Sequence, residues 1–141
     1  MIIQIIRSMK NQVVCTKTAI VSGLSLAKTF NCPLIISTNS FAQALSSGCL
    51  RVAIGETNFF KLRKNRCFKS GSTEIHLKTH KWVHDNIQDL PVVLVSLWPG
   101  EKIIKKIASD ALNLRAIVAT ESIPEELEMW RNRVHGNLLN I

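Results

Sequence analysis

Acidic residues are scarce in the first part of this chain of 141 residues. Residues 1–81 contain 12 lysines and arginines but only two acids, Glu56 and Glu74, whereas residues 82–141 contain six basic residues and eight acids. The formal net charge of +8 therefore lies on the first part. Because a field of this sign attracts polyanions, we expect an acidic partner to bind there.

Signatures of well-defined chemistry are also missing. The sequence contains neither the Gly-x-Gly-x-x-Gly pattern of dinucleotide-binding proteins nor the P-loop pattern Gly-x-x-x-x-Gly-Lys-[Ser/Thr]. No Cys-x-x-Cys pair occurs among the four cysteines, which argues against a zinc site built on cysteine. We therefore expect no cofactor, and it stays open whether the chain is an enzyme. The cysteines are expected to be reduced, partly buried thiols of a cytoplasmic protein.

Long apolar runs and linkers are absent as well. No apolar run approaches the roughly 18–20 residues that a membrane-spanning helix needs, so no membrane segment is expected. No Pro- or Gly-rich linker divides the chain, which predicts a single domain over residues 1–141. One alternative is a signal peptide, with Arg7, Lys10 and Lys17 as its charged part and residues 18–27 as its apolar part.

The most informative stretch that is present is residues 91–139. Two apolar runs without polar alternation, 91–98 and 114–120, are each followed by a helical pattern, 101–112 and 123–139. Buried strands that alternate with helices are typical of a parallel sheet covered on both faces. The sequence therefore predicts one three-layer α/β domain, Rossmann-like or flavodoxin-like, with about five mostly parallel strands.

The rest of the chain extends this pattern less clearly. Residues 1–6, 33–38 and 50–54 are predicted strands, and residues 16–30 and 41–47 are predicted helices. Residues 55–90 are predicted to form an irregular basic insertion, with a hairpin arm at 58–63. Within it, residues 73–89 alternate like a strand at first and then show helical spacing, so both alternatives stay open.

Polar residues follow three of the predicted strands. Ligands of open parallel sheets bind beyond the carboxyl ends of the strands, where helix N-termini present backbone N–H groups. This predicts a small-ligand site, such as a phosphate or carboxylate site. Its candidate residues are Thr38, Asn39, Ser40, Trp98, Thr120 and Glu121. The alternative is that Ser40 and Ser122 simply cap the helices that follow them, because each begins a capping-box pattern.

A basic stretch interrupts the middle of the chain. It consists of Lys61, Arg63, Lys64, Arg66 and Lys69, is interleaved with Phe59, Phe60 and Phe68, and has Arg51 nearby in sequence. Cations that neutralise phosphates and aromatic rings that stack on bases are the components of single-stranded nucleic-acid sites. The alternative is a solvated loop whose phenylalanines anchor it to the core.

Histidines recur every four residues at His76, His80 and His84. On a helix, neighbours at this interval lie about 6 Å apart and could share a metal ion, whereas on a strand they could not. No metal site is expected. His76 and His80 are the pair to consider if one exists, and the alternative is a polar flank of the segment.

Together these patterns predict a non-catalytic binding module for nucleic acid or another polyanion. The first alternative is a binding protein or an enzyme that takes a small phosphate-bearing ligand at the strand ends. The second is an interaction domain that forms a homodimer through residues 1–6 and 138–141.

Overall fold

A sheet of seven strands forms the middle layer of the computed structural model, which describes residues 1–8 and 11–141. The strands are β1 (Ile2–Arg7), β2 (Leu34–Thr38), β3 (Cys67–Ser70), β4 (Thr73–Thr79), β5 (Val93–Ser96), β6 (Ala116–Thr120) and β7 (Asn137–Asn140). The helices are α1 (Gln12–Phe30), α2 (Phe41–Ser46), α3 (Gly48–Ile54), α4 (Glu56–Asn65), α5 (His80–Asn86), α6 (Gly100–Asp110) and α7 (Glu128–Val134). A 3-10 turn, Ile87–Asp89, follows α5.

The strand order is β3-β4-β2-β5-β6-β1-β7, and every neighbouring pair is parallel except β3 and β4. Strands β2, β4, β5, β6 and β7 follow the flavodoxin-like order 2-1-3-4-5, with β1 inserted between the last two. The predicted three-layer, mostly parallel α/β architecture is confirmed.

Each face of the sheet has its own apolar core. Residues from α1, α3 and α4, such as Ala19, Leu50 and Leu62, pack on one face, here called the α1 face. Residues from α5, α6 and α7, such as Val83, Ile104 and Trp130, pack on the other, here called the α6 face. Strand residues are buried on both sides, which explains the continuous apolar runs in the sequence.

Helix α1 lies across β5 and β6 and forms the centre of the α1 face. Asn11 begins it, since its side chain accepts hydrogen bonds from the N–H groups of Val13 and Val14, at 3.0 and 3.2 Å. A Cβ atom on Gly23 would lie 2.2 Å from Cγ2 of Val95, so glycine is required for this close approach to β5. By length and composition α1, with a mean hydropathy of 1.2, is long and apolar enough to cross a membrane, which we did not expect from the sequence. Core helices of soluble proteins often have this length and composition too.

Strand β1 lies inside the sheet, hydrogen-bonded to β6 on one side and β7 on the other. The fold thus uses the segment that the signal-peptide alternative would remove; Lys10 of that alternative lies outside the described residues. Of the dimer surface predicted from residues 1–6 and 138–141, Ile3, Ile5 and Ile6 are buried within the chain, whereas Met1, Ile2, Leu139 and Ile141 are exposed. The homodimer itself stays a prediction.

The region 55–90 is an integral part of the fold, which corrects the expected irregular insertion. The predicted hairpin arm at 58–63 lies in α4, where Phe59 and Leu62 form a buried stripe at helical spacing. Residues 73–89 contain both predicted alternatives in succession, since β4 ends at Thr79 and α5 begins at His80.

The predicted strand at 50–54 is helix α3. The Ser47 side chain accepts a hydrogen bond from the N–H of Cys49, at 3.2 Å, and so begins the helix. Gly55, at φ 83°, ends it. Short apolar runs fit a strand and a buried helix equally well, which explains the error.

The predicted helix at 123–139 is shorter, and the chain then forms a seventh strand. Helix α7 begins only at Glu128 and ends where His135 adopts φ 56°. Gly136 follows, where a Cβ atom would lie 3.1 Å from Cγ2 of Ile3, and the chain then enters β7 beside β1. Ser122 does not cap this helix; its N–H donates a hydrogen bond to Oε1 of Glu126, at 2.6 Å.

Candidate functional site

The carboxyl ends of β2, β5 and β6 lie side by side, as the strand-end hypothesis requires. The residues that follow these strands bind one another. The backbone N–H of Trp98 donates to Oγ1 of Thr120, at 3.0 Å. The indole Nε1 donates to Oε1 of Gln12, at 2.9 Å, and Nε2 of Gln12 donates to the carbonyl oxygen of Glu121, at 3.4 Å. Trp98 and Thr120 therefore hold the loops together, with Trp98 at a strained φ of 51°.

Glu121 forms a buried ion pair with Arg7, whose Nε and Nη2 atoms donate to its two carboxylate oxygens at 2.6 and 3.1 Å. The carboxylate also accepts hydrogen bonds from the N–H groups of Leu127 and Glu125, at 2.9 and 3.3 Å. The pair raises the pKa of Arg7, chiefly through the hydrogen bond to Glu121. With both oxygens occupied, Glu121 links β1 to the segment that leads into α7.

Arg7 also contacts Glu128, the first residue of α7, at 2.8 Å. Glu128 in turn binds Arg131 one turn later. Hydrogen bonds from Arg131 and then from Arg7 lower the pKa of Glu128 to about 2. The sequence pattern missed this network because Arg7 lies more than 100 residues before Glu121 and Glu128 along the chain.

His80 lies in a buried polar cluster that sequence reasoning did not predict. Its Nε2 lies 3.1 Å from the carbonyl oxygen of Leu97, so Nε2 carries the proton, and Nδ1 accepts from the hydroxyl of Ser37, at 2.9 Å. The Ser37 and Ser96 hydroxyl oxygens lie 3.1 Å apart. Burial lowers the pKa of His80 to about 4. One signal was available: Ser37 and Ser96 each interrupt an apolar strand, and those strands are neighbours.

The three histidines do not form a metal site. His76 lies on β4, with Nε2 at 3.8 Å from Oε2 of Glu74, whereas His80 begins α5 and is buried. His84 lies 3.0 Å from Oδ2 of Asp110. Within residues 1–8 and 11–141, no group of three or more His, Cys, Asp and Glu side chains could hold a metal ion.

Asn39 and His80 line a cavity of about 220 Å³ between α5 and α6. Its other walls come from Lys81, His84, Ile103 and Lys106. The lysine charge here is partly compensated, because Nζ of Lys81 lies 3.1 Å from Oδ2 of Asp85. Ser40 and Thr38, two further strand-end candidates, are not among the residues that line this cavity. Ser40 caps α2 as its sequence pattern predicts, and Thr38 is buried with no hydrogen-bond partner for its hydroxyl among the described residues.

The cations in and near the basic stretch form two groups, those that contact an acidic or aromatic side chain and those that are exposed. Arg51 lies 3.4 Å from Glu56 and over the Phe59 ring, while the guanidinium of Arg66 lies 4.8 Å from the centroid of the Phe41 ring. The other four cations are exposed, and none forms an ion pair with a described residue. They are Lys61, Arg63 and Lys64 on α4 and Lys69 on β3. With Phe60, which is 64% exposed, they form what we call the α4 cation surface.

The α4 cation surface lies along one edge of the sheet. Its first end is near the carboxyl ends of the strands, because the carbonyl of Arg66 accepts from the N–H of Leu77 and the Arg66 side chain covers Phe41, just after β2. From there β3 runs antiparallel to β4, which brings Lys69 to the opposite half of that strand, beside Glu74. The surface therefore borders the strand ends at one end only.

Neither a protein-family model nor a curated protein matches this chain.

Proposed function

We propose that this chain is a binding module for single-stranded nucleic acid, and that the α4 cation surface is its binding site. One observation carries the proposal: three exposed cations lie beside an exposed phenylalanine on α4, a fourth lies on the adjoining edge strand, and none forms an ion pair with a described residue. Lysine and arginine at a surface without carboxylates neutralise phosphates, and an exposed aromatic ring offers a face on which a base stacks.

The helical spacing supports this proposal. Phe60 and Lys64 are four residues apart on α4, and Lys61 and Lys64 are three apart, so they share the outward face of the helix. Phe59 and Leu62 hold the opposite face against the core. The rigid helix thus presents its charges and its ring together. In the cavity beside His80, by contrast, nearby carboxylates partly compensate the lysine charge. For this reason we favour the α4 cation surface over the strand ends.

The test is the salt dependence of oligonucleotide binding. For single strands, the slope of log affinity against log salt is about −0.7 for each phosphate neutralised, so four cations predict a slope of about −3. Fluorescence anisotropy of a labelled oligouridine between 50 and 200 mM salt measures it. A slope near zero, or equal affinity for a duplex of the same length, would contradict the proposal.

A triple variant locates the site. Lys61→Ala/Arg63→Ala/Lys64→Ala leaves one of the four cations, and we expect the slope to fall from about −3 to about −1. The matched control Lys102→Ala/Arg115→Ala/Arg133→Ala removes three exposed cations from the part of the chain that is slightly acidic. An equal loss of binding in both variants would mean that net charge matters and the α4 cation surface does not.

The proposal includes a cytoplasmic location. All four cysteines are free, with Cys15 buried and Cys32, Cys49 and Cys67 half-buried. Free thiols persist in reducing compartments, whereas disulfides form and persist in oxidising ones. Fractionation of cells that express a tagged chain tests the location, and recovery from the medium would contradict it.

A further inference from the structure

The sheet face around β4 carries a second set of exposed groups. On this strand Ile75 and Leu77 point to the α1 face and are buried, so the alternating residues Glu74, His76 and Lys78 point to the α6 face. Helix α5, which follows β4, packs against β4, β2 and α6 and leaves part of this face uncovered. His76 and Lys78 are accordingly only half-buried.

A groove of about 230 Å³ lies in this opening. Ile35, His76 and Lys78 form its floor on β2 and β4. Trp82 of α5 forms one wall, and Leu90, Val92 and Pro33 form the rest. We call it the Trp82 groove. Its volume is below the roughly 300–1,000 Å³ of cavities for drug-sized ligands, so a ligand here is a single small ring system.

The lining groups suit a base that carries a phosphate. Trp82 is half-buried, and its indole N–H has no hydrogen-bond partner among the described residues. Nζ of Lys78 lies 4.3 Å from the centroid of the indole ring, so this ring face already attracts a cation. A base that stacks on the ring would replace the ammonium group, and the displaced ammonium would then pair with the phosphate of the same nucleotide.

The Trp82 groove is connected to the α4 cation surface around the edge of the sheet. Strand β3 is the edge strand, with Phe68 towards the α1 face and Lys69 towards the α6 face. Lys69 thus lies between α4 and the groove. Glu74 is the one carboxylate on β4, opposite Lys69 in the strand register and near His76. Its negative charge weakens the attraction of a phosphate at this position.

We propose that the Trp82 groove takes one unpaired base of a nucleic-acid strand whose other phosphates lie on the α4 cation surface. The inference rests on the proposed function. It goes further in assigning a base-stacking residue, Trp82, on the opposite face of the sheet, and in requiring the strand to pass around β3.

Tryptophan fluorescence and anisotropy, recorded on the same samples, separate the two proposals. Oligouridine should bind with a saturable decrease in indole emission, whereas an abasic strand of equal length and charge should bind more weakly and without that decrease. Trp82→Phe, which keeps a flat ring, provides the reference for the other two tryptophans and should lose the decrease. Binding by anisotropy with no decrease, or with the same decrease for the abasic strand, overturns the groove inference alone. Absence of anisotropy binding overturns the proposed function and the inference with it.

Affinity gives an independent measure. Trp82→Leu should weaken oligouridine binding roughly 5- to 150-fold, as expected for the loss of one stacked base, and should change the slope of log affinity against log salt by no more than about 0.7, the share of the one phosphate beside Lys78. Circular dichroism checks that this variant is folded. If it is not, the emission measurement on the unaltered chain still decides. Unchanged affinity in a folded Trp82→Leu variant would overturn the inference.

Discussion

The ends of β1 and β6 and the α4 cation surface both carry arginines or lysines, but they use them differently. At the strand ends, Arg7 is buried between Glu121 and Glu128 and all its bonds are internal. On α4, Lys61 and Lys64 are exposed and form no ion pair with a described residue. The comparison shows that charge in a sequence has two uses, and that only the charge left without internal partners is available to a ligand.

The same difference extends to the aromatic residues. Trp98, at the strand ends, packs on the core and donates its indole N–H to Gln12. Phe60 on α4 is 64% exposed, and the indole N–H of Trp82 has no partner among the described residues. The aromatic side chain at the strand ends therefore holds the loops together, whereas those near the β3 edge are accessible to a ligand. The following predictions test this difference through stability.

The largest effect is expected for Arg7→Leu. The variant leaves the Glu121 carboxylate buried without its cation, and loss of one partner of a buried pair costs about 3–5 kcal/mol. Urea unfolding followed by circular dichroism measures the change. Arg115→Leu, at an exposed position, is the control and should change the free energy of unfolding by no more than about 0.5 kcal/mol. A similar small change for Arg7→Leu would show that the strand ends do not depend on this pair.

The next effect is a pH dependence caused by His80. Because burial lowers its pKa from 6.5 to about 4, the unfolded chain takes up the proton more readily than the folded one. The contribution of His80 to the free energy of unfolding is fully present above pH 6.5. It falls by on the order of 3 kcal/mol as the pH decreases to about 4. Glu128, with a pKa of about 2, stays ionised over this window.

Unfolding measured at several pH values between 4 and 7 checks this prediction. His80→Gln lacks the titrating ring, so its free energy of unfolding should vary less over the same window. Parallel curves for the variant and the unaltered chain would show that another group causes the pH dependence.

The smallest effect on stability is expected for the α4 cation surface. Lys61→Ala/Arg63→Ala/Lys64→Ala should change the free energy of unfolding by no more than about 0.5 kcal/mol, because these side chains are exposed and form no ion pair with the part of the chain that the structure describes. The same variant should bind oligouridine more weakly and with the smaller salt dependence. A large loss of stability would remove the distinction between the two regions.

Local patterns predicted the elements whose burial is continuous or regularly spaced. The apolar runs that became β1, β2, β5 and β6 and the stripe of α6 were recognisable because both sheet faces and one helix face are buried. The Ser40 cap was also predicted, since its bond to the N–H of Gln43 joins residues three apart. Helix α3 was mistaken for a strand because a short apolar run fits both, and α4 was missed because Phe59 and Leu62 are its only buried residues among charged ones.

Ser122 shows where such patterns stop being informative. It has the same capping-box form as Ser40, but α7 begins six residues later. Distant partners explain the difference: Glu121 is held by Arg7 from β1, and its carboxylate takes the N–H groups of Glu125 and Leu127. A local rule fails when a residue far along the chain forms a stronger bond.

The sequence by itself determined the fold class, because strands buried on both faces give continuous apolar runs and helices buried on one face give regularly spaced apolar residues. It also determined that the positive charge lies in residues 1–81, since charge is a property of composition. Only the tertiary structure decided which cations and rings are available. Arg66 contacts Phe41 and Arg7 contacts Glu121, whereas Lys61, Arg63, Lys64 and Lys69 are exposed and form no ion pair within residues 1–8 and 11–141. Partnership depends on distances between residues far apart in the chain, and folding sets those distances.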